Sequence, residues 1–101
     1  MLKHRKQGDA LVVCLEGELD HHCAQIVRQE MDRLIEEERP QRLIVDMQGV
    51  SFMDSSGIGV LIGRYRTLSR CGGRMAVCNM SPHVERIFQL SGLQRIIEKV
   101  R

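Results

Sequence analysis

Tryptophan is absent from the 101 residues, and the aromatic rings are limited to Phe52, Tyr65 and Phe88, so no platform for stacking nucleic-acid bases exists. Neither charge dominates. The 15 Lys and Arg residues stand beside 13 Asp and Glu for a net charge of +2, without the basic patch that a nucleic-acid binder needs. No apolar run approaches the length of a membrane span, and Met1 to Gly8 carries Lys3, Arg5 and Lys6 without the apolar stretch of a signal peptide. Cysteine is sparse and unpaired in pattern. Cys14, Cys23, Cys71 and Cys78 form no Cys-x-x-Cys, which argues against a disulfide framework and for reduced thiols in a cytoplasmic protein.

Two further absences narrow the chemistry. There is no Gly-x-x-x-x-Gly-Lys-Ser/Thr loop for nucleotide phosphates and no Gly-x-Ser-x-Gly elbow for a serine hydrolase, and the connections are too short to build a pocket. The run Asp20-His21-His22-Cys23 is rich in ligand types. Adjacent helical residues point apart, however, and no second ligand pair has finger-like spacing, so neither a metal nor any other cofactor is expected. A non-enzymatic role follows.

What is present suffices for one globular domain spanning residues 1–101, with 43% hydrophobic residues to form its core. About Leu2 to Gln7 reads as a charged edge strand, and Gly8-Asp9 turns it into a second strand, Ala10 to Glu16. Leu11 to Leu15 is too continuously apolar for a one-sided strand, which predicts helical cover on both faces. From Asp20, a natural N-cap, Cys23, Val27, Met31, Leu34 and Ile35 recur at helical steps until Arg39-Pro40 stops them. Leu43 to Met47 is a buried strand, followed by a helix with Ile58, Leu61, Ile62, Tyr65 and Leu68 on one face. Cys71-Gly72-Gly73 ends it, and Met75 to Cys78 is another short strand. Ser81-Pro82 opens a third helix, with Val84, Ile87, Phe88 and Leu90 apolar and Ser91-Gly92 at its end, before a last strand within Arg95 to Val100. The order predicts an α/β protein: a mixed sheet of about five strands, mostly parallel after an N-terminal antiparallel hairpin, with helices packed on it. Right-handed crossovers then bring all three helix starts to one sheet edge. That edge is where open α/β sheets bind.

Ser51-Phe52-Met53-Asp54-Ser55-Ser56-Gly57 lies at this edge and delivers two hydroxyls to a helix start. Unpaired N–H groups and the helix dipole favour an oxygen or a phosphate there. The same residues would also serve as an ordinary cap, so capping and a phosphorylatable serine both stay open. The helix that follows holds Gly59 and Gly63 in its interior, at about 1 kcal/mol each relative to alanine. With Ile58, Leu61, Ile62 and Tyr65 inward, Gly59, Val60, Gly63 and Thr67 are expected outward or along the flank. Something must come close to the glycines, either another segment of this chain or a partner.

Gly17-Glu18-Leu19-Asp20-His21-His22, Phe52-Met53-Asp54-Ser55-Ser56-Gly57, Gly63-Arg64-Tyr65 and Ser81-Pro82 through Ser91-Gly92-Leu93 resemble the anti-sigma factor antagonist family. The resemblance is collinear over nearly the whole chain and implies the STAS fold. Gly-Glu-Leu-Asp-His-His favours the sporulation branch over the general-stress branch. The resemblance implies a partner-switching cycle: the unmodified protein binds an anti-sigma factor that is also a serine kinase, the sigma factor is freed, phosphorylation ends the contact, and a serine phosphatase restores it. Ser55 takes the place of the phosphorylated serine, and Asp20 that of a contact aspartate. His21, Asp54, Ser56, Gly57, Gly59 and Gly63 complete the expected partner surface, on a protein that is monomeric when free. A further C-terminal helix, usual in the family, is not among these residues, so reduced cover over part of the sheet is expected. The rival reading is a STAS ligand-binding or scaffold module in which Ser55 only caps.

Overall fold

The computed structural model describes residues 2–100, and Met1 and Arg101 lie outside the described residues. Strands β1 (Leu2–Gln7) and β2 (Ala10–Leu19) form the antiparallel hairpin, turned at Gly8, whose φ of 65° suits glycine. Helix α1 (Ala24–Glu38), β3 (Arg42–Met53), α2 (Ser55–Arg70), β4 (Arg74–Cys78), α3 (Pro82–Leu90) and β5 (Glu98–Val100) follow. The five strands lie in sequential order, β1-β2-β3-β4-β5, and every pair after the first is parallel. The mixed sheet expected from element order is therefore the observed one.

Register explains where the core sits. Leu11 pairs with Leu43 and Val13 with Val45, and these continue to Met75 and Val77 on β4. All of them join one apolar cluster with Val27, Met31 and Leu34 of α1, Val60, Leu61 and Leu68 of α2, and Val84 and Phe88 of α3. Alternation sends Ala10, Val12 and Ala76 to the opposite face, and they stand outside that cluster. The expectation of helices on both faces is thus corrected: among the described residues they cover one. On the other face, long side chains give the shelter. Arg42 reaches Glu98 across β4 at 3.4 Å, and Arg5 lies against Cys14. Long arginine side chains of this kind can lay their stems on apolar surface while the charged ends stay in water.

Several boundaries differ from the sequence reading. Strands β2 and β3 run on to Leu19 and Met53, past Glu16 and Met47, with register irregularities at Cys14/Glu16 and Gly17/Glu18. Helix α1 begins at Ala24 rather than just after Asp20. Asp20 instead closes a preceding turn, its Oδ1 accepting from the His22 and Cys23 N–H groups at 3.0 and 3.2 Å. Arg39, in the left-handed region at φ 46°, ends α1 before Pro40. Leu90 is 76% exposed rather than packed, and of the segment Arg95 to Val100 predicted to hold a last strand, Arg95 ends a 3-10 turn, Leu93–Arg95, and only Glu98–Val100 forms β5.

Candidate functional site

The strand ends and helix starts meet at one edge, as crossover geometry requires. The Asp54 N–H donates to the Leu19 carbonyl at 3.4 Å, which ties the start of α2 to the end of β2. Gly57 permits that approach: a Cβ there would sit 2.5 Å from Met53 Cγ and 2.7 Å from the Leu19 carbonyl oxygen. Gly57, expected among the partner-binding residues, is buried, and it lets the helix start close onto the sheet.

Asp54 is the N-cap of α2, and Ser55 is the first helical residue. The Asp54 Oδ1 accepts from the Ser56 N–H at 2.8 Å and the Gly57 N–H at 3.4 Å. These are the donors a cap serves. The reading of Ser55 as a cap is therefore replaced by Asp54. Ser55 is exposed, and among the described residues its hydroxyl makes no hydrogen bond. Ser56 is half-buried.

The His21 and His22 rings lie against one another at a centroid distance of 3.9 Å, tilted by 38°, and face different carboxylates. His21 Nδ1 lies 3.9 Å from Asp54 Oδ2, and His22 Nδ1 lies 3.8 Å from Asp20 Oδ2. Burial would raise the Asp20 pKa, but the N–H groups of Cys23 and His22 and the charges of His22 and His21 outweigh it and hold the carboxyl below its ordinary value. Asp20 thus stays ionised in neutral solution. At the other flank, the end of β3 meets the start of α3, where Phe52 stacks on His83 at 5.4 Å with an interplanar angle of 19°. Phe52 is 40% exposed, although an aromatic in an apolar run suggests core.

Between α1 and α2 a groove of about 410 Å³ opens beside this edge, lined by His21, Ala24, Gln25, Arg28, Ser56, Gly59 and Val60. Val60, expected outward or along the flank, is its buried floor at 4% exposure. A Cβ at Gly59 or Gly63 would meet nothing within 4 Å. The intramolecular explanation for the glycines, another segment packed over them, is therefore absent among the described residues. Arg64 is the residue that the sequence pattern missed. Its side chain is buried against α1, with Nε 2.8 Å from Asp32 Oδ1 as an ion pair, while neither Nε nor Nη1 makes a well-directed hydrogen bond among the described residues. Burial lowers its pKa, and the Asp32 charge opposes that shift. A charged residue amid apolar helical positions gives no sign of which neighbour will bury it.

The fold and this edge define a class. A STAS domain description matches residues 2–101. An anti-sigma F factor antagonist of Paenibacillus polymyxa is 44% identical over 87 residues, which cover 86% of this chain and 74% of that protein. The solved structure of the anti-sigma factor antagonist SpoIIAA in its unphosphorylated form superposes with a TM-score of 0.84 at 33% identity, covering 100% of this chain and 89% of that one. The phosphorylated form of SpoIIAA from Bacillus gives 0.75 at 32% identity, with coverage of 100% and 92%. The chain belongs to the STAS domain family, among the anti-sigma factor antagonists.

Proposed function

We propose that this protein works by partner switching, with Ser55 as the switch. Unphosphorylated, it binds an anti-sigma factor that is also a serine kinase and so releases a sporulation sigma factor. Phosphorylation of Ser55 ends the contact, and a serine phosphatase restores it. The cycle runs in the cytoplasm on a chain that is monomeric when free. The observation that carries this reading is the division of labour at the start of α2: Asp54 caps the helix, so the exposed Ser55 hydroxyl is left free. The relative at 44% identity, an anti-sigma F factor antagonist, supports the sporulation branch.

The docking surface comprises Asp20, His21, Asp54, Ser56, Gly59 and Gly63, with Gly57 setting the backbone beneath. Open space above Gly59 and Gly63 supports a partner backbone approaching α2. A phosphate adds about −1.5 to −2 charge units beside Asp54 and Asp20. Its repulsion acts on the partner, because the helix start tolerates an anion. Titrating wild type, Ser55→Ala and phosphorylated protein against the cognate kinase tests the proposal: tight binding by the first two and loss by the third is expected. Equal affinities would sink the switch.

A further inference from the structure

Arg28 holds the one arginine side chain lining the groove beside Ser55. On a helix its ordinary partner would be Asp32, one turn on. That carboxylate is engaged by Arg64 from α2, at 2.8 Å, and the Arg64 guanidinium is close enough to feel Arg28 as a like charge. Four residues in the other direction stands Ala24, which offers nothing. Among the described residues Arg28 accordingly makes no ion pair and is exposed. The carboxylates at this edge do not pair with it among the described residues: Asp54 accepts from backbone N–H groups at the start of α2, and Asp20 accepts from those of the turn before α1. The groove wall thus carries an unpaired cation, beside the positive end of α2 and the open backbone of Gly59.

Resting on the partner-switching reading, we propose that Arg28 is a specificity-determining contact for an acidic side chain of the docking kinase. The Arg64–Asp32 pair acts as a positioning device, since it denies Arg28 an internal partner. The kinase segment that enters the groove therefore carries a carboxylate facing α1.

The test compares wild type, Arg28→Lys, Arg28→Ala and Arg28→Glu for affinity toward the cognate kinase at two ionic strengths, with Ser55 phosphorylation followed by intact mass. Arg28→Glu is expected to weaken binding by about tenfold or more and Arg28→Lys by no more than about threefold. Arg28→Ala is expected to flatten the salt dependence seen in wild type. All should melt with wild type, because the side chain makes no internal ion pair. Wild-type affinity and salt dependence in Arg28→Glu would overturn this inference while phosphorylation of Ser55 left the switch standing. A wild-type chain that neither binds nor is phosphorylated would overturn both.

Discussion

Replacing Gly59 and Gly63 together by alanine should stabilise this protein and impair its proposed partner binding. Each glycine sits inside α2, where alanine is favoured by about 1 kcal/mol through lower chain entropy in the unfolded state. A new Cβ at either position meets nothing within 4 Å, so no clash subtracts from that gain. The pair should therefore add about 2 kcal/mol, which in a chain of this size raises Tm by roughly 8–16 °C. Differential scanning calorimetry measures it. Gly57→Ala is the internal control, because its Cβ would lie 2.7 Å from the Leu19 carbonyl oxygen, and it should melt well below wild type. Against the kinase, the double alanine variant should bind more weakly despite its stability, since two methyl groups occupy the space proposed for the partner backbone. A double variant that melts at or below wild type would refute the helical placement of these glycines. One that is stabilised yet binds with wild-type affinity would refute their role in docking.

Asp54→Ala should cost about 1 kcal/mol by orphaning the Ser56 and Gly57 N–H groups, measured as a shift in denaturant midpoint without a change in slope. Asp32→Ala should cost about 1–2 kcal/mol, at the modest end for a buried pair because Asp32 is half-exposed, whereas Arg64→Met should be near neutral or stabilising in the same urea titration. Equal losses from those two variants would contradict the account of Arg64 as a buried charge dependent on its partner.

The sheet was legible because period carries it. Leu43, Val45 and Met47 alternate, the Ser81-Pro82 start and Gly72 stop are strong punctuation, and each connection from β2 onward contains a helix. Position on a helix face was less legible. Val60 is as apolar as Ile62, yet the former joins the buried core while the latter is only partly buried against it, a choice set by tertiary packing and not by spacing. The continuous run through β2 misled for a related reason. Val12 is buried by neighbouring side chains on the sheet rather than by a second helical layer, and a one-dimensional pattern does not distinguish the two kinds of cover. Asp20 kept its hydrogen-bonding role but moved off the helix, since an aspartate that accepts two N–H groups serves a turn as well as a cap.

At the Ser55 edge, capping falls to Asp54, which leaves Ser55 available for the proposed switch. Had Ser55 been the cap, phosphorylation would have altered the cap itself, and any change in partner binding could have arisen from a changed helix start. With Asp54 holding the Ser56 and Gly57 N–H groups, the proposed modification of Ser55 would leave both hydrogen bonds in place. The added charge then acts where the hydroxyl points, toward solvent and whatever docks there. Position also separates Ser55 from Ser56: the first is exposed at the rim, whereas the second lines the groove and is half-buried. For the proposed phosphorylation, the exposed first residue of a helix capped by its neighbour is therefore the more accessible of the two hydroxyls.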